Sequence, residues 1–471
     1  MNSFEAVSRS KSNSEIGEKM ASVVGKQLNS EEDVRVGDMD DDGEVFKANT
    51  EKAKFRALGT LRTTVVLVKL CFATGVLSIP AALGVVGYGP GLVLLALWSG
   101  LTMYYSYVMY QFRMKYRGVH NIVDAAMLVG GPIAREVTSV LFLLTWILAT
   151  GSGFIGLSQG LKILANGKGC TILWTLVAAV ATGLLSSIRT LGKLAILTWI
   201  GFASIFTAVF IIVVGVTVVD RPAAAPPTGP YDLGVIAVGS PGFVAGLVAA
   251  LNLFSGFGST STFMPVIAEM KVPKKFPKAL LISQGFLVVC YMTFGIVIYI
   301  YCGQYIASPS LASAGGTLEK VAYGVSIPGF MMTSTLWVHV AAKFLLVRIL
   351  RDSNHLQSNS VTHWATWLSS TIGLTILSFL LAEAIPFFNY ILGFIGSICC
   401  SPTCLVIPAI MGLYMHRDSY RSNKRIMALC AFHCIVVVGG SFMAIAGTYT
   451  TIQSIVDAYA VNGVKRAFTC S

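Results

Sequence analysis

Few residues in this chain can do chemistry, and most of those stand in apolar surroundings. Lys69 lies inside LRTTVVLVKLCFATGVLSIPAAL, residues 61–83, six positions before Gly75. His339 and Lys343 share a second apolar stretch, Glu269 ends a third, and His433 sits in a fourth. An ionisable side chain is costly in hydrocarbon, so each is a candidate for carrying an ion or a proton. Histidine titrates near neutral pH, which suits His339 to a proton. Lys343 has a plainer reading, a long side chain snorkelling to the surface. Glu269, beside Lys271 and Lys274, reads equally well as half of a helix-end ion pair. His433 reads as structural. Cys399, Cys400 and Cys404 have no flanking histidine or acid, so packing is favoured over zinc and no metal site is expected. No His/acid or Cys/His constellation and no phosphate-cradling loop occurs, which argues against an enzyme.

Two apolar stretches are interrupted. Ala73-Thr74-Gly75 breaks the first, with Pro80 close behind, and residues 252–259, Asn-Leu-Phe-Ser-Gly-Phe-Gly-Ser, break the stretch Gly242–Met270. Glycine lets the backbone leave the helix. Non-helical backbone at membrane depth must be covered by protein or line a cavity. Two glycine-interrupted spans in matching places of two halves point to a transporter's substrate site.

The elements that must position these residues follow from composition and periodicity. The 471 residues are 55% hydrophobic and 12% charged, with a mean hydropathy of +0.72, well below the roughly 25% charge of a soluble domain. The expectation is an all-α polytopic membrane protein. Eleven spans are predicted, at about 61–86, 90–112, 136–162, 170–187, 194–219, 241–269, 279–302, 327–350, 364–383, 387–414 and 426–450. Residues 121–129 form a short amphipathic segment suited to the interface. Spans 1–5 (61–219) and 6–10 (241–414) make two sets of five, each opening with a broken helix. Five is odd, so the second set is inverted relative to the first, and span 11 is peripheral.

Residues 1–60 hold twelve of the 22 acids, so the net charge of +12 belongs to the loops. One set of alternate loops carries sixteen Lys and Arg and the other six, which puts the first set, with the N-terminus, in the cytoplasm. Nucleic-acid binding is not expected from such a distribution. Residues 1–55 read as a disordered acidic tail without a signal peptide, 56–450 as the transport domain, and 451–471 as a short non-cytosolic tail. Cys170 and Cys302 fall at the outer ends of spans and are candidates for a disulfide.

Lys69-Leu-Cys-Phe-Ala-Thr-Gly-Val-Leu-Ser-Ile-Pro80 resembles the K-x-x-x-G-T-G-[IL]-L-x-[LM]-P opening of the amino acid/auxin permease family. The run Glu269-Met270 through Pro273, Phe276 and Ala279 is similar to that family's E-M-x-x-P-x-x-F-x-x-A segment. Ala384-Ile385-Pro386, Gly393–Ser397 and Pro408-Ala409 are similar to its tenth helix. The likeness covers about residues 55–450, and the fungal neutral amino acid permeases are nearest in character. Ala73 departs from the family's usual first glycine. The resemblance implies a LeuT-type fold and an amino acid substrate held between the two breaks.

An amino acid zwitterion needs two opposite poles away from bulk water. Amides at the start of a half-helix suit a carboxylate, which assigns that role to Ala73, Thr74, Gly75 and Val76. Carbonyls freed where a half-helix ends suit an ammonium, which assigns Phe254, Ser255 and Gly256. Phe257, with Thr150 of span 3 and Thr333 of span 8, would wall the pocket. Neither break contains an acid, so neutral substrates are favoured. Lys69 beside the first break could stand where sodium-coupled relatives hold their ion, so a proton gradient is expected to drive import, with sodium the weaker alternative and no cofactor. The partners expected are the amino acid and the lipid bilayer, with trafficking or signalling proteins on the tail. The plasma membrane is favoured over the vacuole. An amino acid sensor built on the same fold, or a vacuolar exporter, are the alternatives.

Overall fold

The computed structural model describes residues 58–72, 74–188, 191–351, 353–356, 358–419, 423–462, 468 and 470. The acidic tail expected over 1–55 lies outside them. Helix dominates the described residues, and eight helices are long and apolar enough to cross a membrane.

The first span is two half-helices, α1 (Thr60–Cys71) and α2 (Ile79–Val86), joined by a 3-10 turn at Gly75–Leu77 and bent by 46°. After α3 (Tyr88–Lys115) comes α4 (Ile122–Leu164), whose start is capped by Asn121, its side chain accepting from the amides of Val123 and Asp124. Gly131 (φ +74) turns α4 sharply, which separates the amphipathic segment from the span that follows. α5 (Thr171–Ser186) and α6 (Leu191–Val218) complete the first set.

The second set opens the same way. α7 (Phe243–Ser255) and α8 (Phe263–Ala268) flank a 3-10 turn at Gly258–Thr262 and are bent by 41°. α9 (Phe276–Cys302), α10 (Gly316–Leu350) and α11 (Val361–Ala384) follow. The tenth span is composite: α12 (Phe388–Phe394), a π-helical segment (Ile395–Val406) and α13 (Ile407–Met415). α14 (Lys424–Asn462) closes the described chain. Counting each bent pair as one span raises eight to ten. α5 is apolar but has 16 residues, about 24 Å, short of the roughly 30 Å hydrocarbon core.

Two predicted boundaries move. α10 begins at Gly316, not near 327, because Pro328 lies inside the helix instead of opening it. α14 runs to Asn462 although the sequence turns polar after 447. The hydroxyls of Thr450 and Thr451 donate to the Gly447 carbonyl, and that of Ser454 to Thr450, so these side chains are satisfied within the helix.

Both broken spans are tied together at their ends by main chain. Near the Lys/Arg-rich end, the Leu58 amide donates to the Glu269 carbonyl (3.1 Å) and the Lys271 amide to the Leu58 carbonyl (3.0 Å). At the other end the Gly239 amide donates to Val86 and the Gly89 amide to Ala237, both at 2.9 Å. These bonds leave the two elbows between two fixed points.

Candidate functional site

The elbows meet. A Cβ built on Gly75 would stand 2.6 Å from the Cα of Gly256, closer than real side chains approach, so only glycine lets the two backbones touch here. Thr74, Gly75 and Val76 are buried, and Ala73 lies outside the described residues. Among the described residues, the amides of Thr74 and Gly75 have no main-chain acceptor. Burying an unpaired amide is unfavourable, so these donors are suited to an anionic group that comes and goes.

The carbonyls are treated differently. Phe254 accepts from the Phe257 amide at 2.9 Å. The Gly256 carbonyl is 3.0 Å from the hydroxyl of Tyr291, and the same hydroxyl is 2.9 Å from the carbonyl of Cys71, where α1 ends. The Leu70 carbonyl accepts from Ser259 Oγ (2.7 Å) and the Gly258 carbonyl from Cys404 Sγ (3.1 Å). Of the three carbonyls assigned to an ammonium, only that of Ser255 has no donor among the described bonds. In the sequence Tyr291 has no assigned role, Ser259 only a place in the second break and Cys404 only a place in packing. A tyrosine in mid-span was the available signal, since a buried hydroxyl requires a partner.

The aromatic side chains pack as walls. Phe254 packs with its ring tilted against Trp98 of α3, centroids 4.9 Å apart, and Phe257 lies edge-on to Tyr291 at 5.2 Å; both phenylalanines are fully buried. Phe72, where α1 unwinds, is held among Phe202, Phe206, Phe286 and Phe294. Helices α4 and α10 approach from the other side. Ser152 Oγ reaches Thr74 Oγ1 at 3.3 Å, and a Cβ on Gly153 would collide with Ser334 Oγ. Thr150 Oγ1, Ser334 Oγ and the indole nitrogens of Trp146 and Trp337 are buried without a partner in the structure. Buried polar atoms are nearly always bonded, so this cluster of donors fits a polar solute.

Lys69 is fully buried, and its ammonium donates to Thr333 Oγ1 at 2.5 Å and faces the Gly329 carbonyl at 3.5 Å. The Thr333 hydroxyl in turn donates a hydrogen bond to the Gly329 carbonyl (2.7 Å). Among the described residues no carboxylate pairs with Lys69, so the last turn of α1 is joined to α10 by a cation on neutral acceptors.

The other candidates are elsewhere. His339 is two turns beyond Thr333 on α10, edge-on to Trp367 at 4.9 Å, and is not gathered with Lys69. Glu269 and Lys343 form a half-exposed ion pair (2.8 Å) joining the end of α8 to α10. The sequence placed Glu269 beside Lys271 and Lys274, whereas its partner in the structure is Lys343 of another helix. The expected Cys170–Cys302 disulfide is corrected: Cys170 is bonded to Cys470, with Cα atoms 4.9 Å apart, and Cys302 is a free, fully buried thiol at the end of α9. Position at a span end brought Cys302 to the right level, but its side chain points into the protein.

Two bent spans in elbow contact, each opening one half of the chain, are a construction shared with membrane transporters. Comparison with known proteins agrees and names the group. The model of the transmembrane amino acid transporter protein family matches residues 56–453, and the chain belongs to that family. It is similar to a transmembrane transporter of Fusarium pseudograminearum (39% identity, covering 91% of this chain and 90% of the relative). It is also similar to the N amino acid transport system protein of Neurospora crassa (28% identity, 90% of this chain and 91% of the relative). Among solved structures it resembles Mhp1, a nucleobase-cation-symport-1 family transporter, in a closed conformation with bromovinylhydantoin bound. That match has a TM-score of 0.54 and 12% identity, over 90% of this chain and 98% of the other, and shows the shared fold.

Proposed function

We infer that this chain imports neutral amino acids by proton symport, with alternating access around the two breaks. The observation that carries this reading is the contact of Gly75 with Gly256, beside which the Thr74 and Gly75 amides stay open. A carboxylate would take those amides, helped by the positive end of the α2 dipole. Neither break contains an acid to pair a cationic side chain, which favours neutral substrates. The similarity to the N amino acid transport system protein of Neurospora crassa supports an amino acid substrate.

Proton coupling is supported by Lys69. A buried ammonium held by a hydroxyl and a carbonyl is costly to keep charged, and it bridges α1 to α10, so loss of its proton would weaken the link between them. The excess of Lys and Arg on one set of loops supports a cytoplasmic N-terminus. The plasma membrane is the favoured location and eleven the favoured number of spans. The acidic tail is suited to trafficking or signalling partners.

The test is uptake of labelled neutral amino acids by the purified chain in proteoliposomes. Accumulation above equilibrium when the outside is made acid, in sodium-free medium, is the expected result. An absolute requirement for sodium would overturn proton symport, and absence of any uptake across the neutral amino acids would overturn the transport reading.

A further inference from the structure

One buried hydroxyl that bonds both breaks belongs to neither broken span, and it takes up the Gly256 carbonyl that the sequence assigned to an ammonium. Tyr291, on α9, is fully buried, and its Oη lies 2.9 Å from the Cys71 carbonyl and 3.0 Å from the Gly256 carbonyl. Both carbonyls belong to helix breaks, one in each half of the chain, and both are released by the unwinding. A tyrosine has a single proton to give, so two acceptors share one donor. Carbonyls freed at the ends of half-helices are the usual ligands of a coupling cation in transporters of this build. Here the convergence point is filled from within the protein.

The ring is fixed as firmly as the hydroxyl. Phe72 stacks on it at 6.0 Å and Phe257 meets it edge-on at 5.2 Å, and these two residues belong to the first and second breaks respectively. A Cβ on Gly256 would lie 3.2 Å from its Cε2 atom. With the phenol in position, its hydroxyl stands within hydrogen-bond reach of both carbonyls. We propose that Tyr291 is a positioning residue that ties the two breaks together and occupies, with its own hydroxyl, a seat where a small monovalent cation would otherwise bind. On this account the chain needs no sodium at that point because the donor is built in. The inference rests on taking the paired breaks as the transport site.

Two variants separate the donor from the volume. Tyr291→Phe keeps the ring and removes the proton; Tyr291→Ser keeps a hydroxyl but opens the space the ring filled. The readout is the thermal unfolding midpoint of the purified full chain in sodium chloride and in choline chloride at equal ionic strength. Wild type is expected to melt alike in both salts. Tyr291→Phe is expected to melt a few degrees lower in both, since two carbonyls lose their donor and the ring still excludes an ion. Tyr291→Ser is expected to be the least stable in choline and to recover in sodium chloride, with a saturable dependence on sodium. If Tyr291→Ser cannot be recovered in choline, purification in sodium chloride is expected to restore it.

A Tyr291→Ser protein that sodium does not stabilise, or that is lost in both salts, would overturn the proposal. So would a wild type stabilised by sodium, or a Tyr291→Phe as stable as wild type. The measurement uses neither an amino acid nor a proton gradient, so its failure leaves the transport reading intact and is distinguishable from failed uptake.

Discussion

The two breaks look alike in sequence and differ in what they offer. At the first, between α1 and α2, the amides of Thr74 and Gly75 are open, and the two carbonyls that end α1 are bonded by residues of the second half, Ser259 and Tyr291. At the second, between α7 and α8, the carbonyls of Phe254, Gly256 and Gly258 are all taken, by Phe257, Tyr291 and Cys404. The second break keeps the Ser255 carbonyl without a donor among the described bonds. It draws the donors for Gly256 and Gly258 from α9 and the π-helical segment, and bonds the end of α1 through Ser259. An inverted repeat therefore sets the positions of two elbows but not their roles. The first is the more exposed in hydrogen bonding and the better fitted to a carboxylate.

The sharpest way to break that comparison is to add one methyl group to each elbow. In Gly75→Ala the new carbon meets the Gly256 backbone, which cannot move aside, and uptake should fall on the order of 100-fold. In Gly256→Ala it meets the edge of the Tyr291 ring, which can give by a few tenths of an ångström, and about a tenfold loss is expected. Equal losses would mean that the elbows are equivalent. Lys69→Met should come next: accumulation under a proton gradient falls roughly tenfold while exchange of internal for external amino acid continues. Parallel loss of both would assign Lys69 to packing.

Smaller effects sort the donors. Ser259→Ala leaves the Leu70 carbonyl bare in a buried site, at a cost of about 1–3 kcal/mol in a denaturation experiment. Cys404→Ala should cost less, because a thiol is a weak donor. Glu269→Gln removes a half-exposed ion pair, for which about 0.2–1 kcal/mol is expected. A larger loss there would make the pair a latch on the Lys/Arg-rich end instead of a surface contact.

Much of this was legible in the residues. Gly75 and Gly256 announced breaks because two glycine interruptions fall in matching places of two apolar stretches, where a lone glycine would read as close helix packing, and Lys69 stood out for being charged beside one. What was hidden depended on which side chains meet across helices. Tyr291 is 220 residues from Cys71, and no local pattern marks its hydroxyl as the donor for both elbows. The π-helical segment was hidden too: Cys400 and Cys404 read as small apolar residues, yet their thiols face the Gly258 carbonyl, at 3.5 and 3.1 Å. Cys302 shows the converse failure, where a residue at the correct depth was turned the wrong way. Periodicity fixes depth and face within one helix, and partners come only from packing.

The central claim, that the meeting of the two elbows forms the substrate site, is tested most directly by equilibrium binding of labelled neutral amino acids to the purified protein. Wild type and Gly75→Ala should be compared with matched unfolding profiles, so that folding is not the variable. Saturable binding by wild type and its loss in the variant is the predicted result; a folded Gly75→Ala protein that binds as tightly as wild type would contradict it.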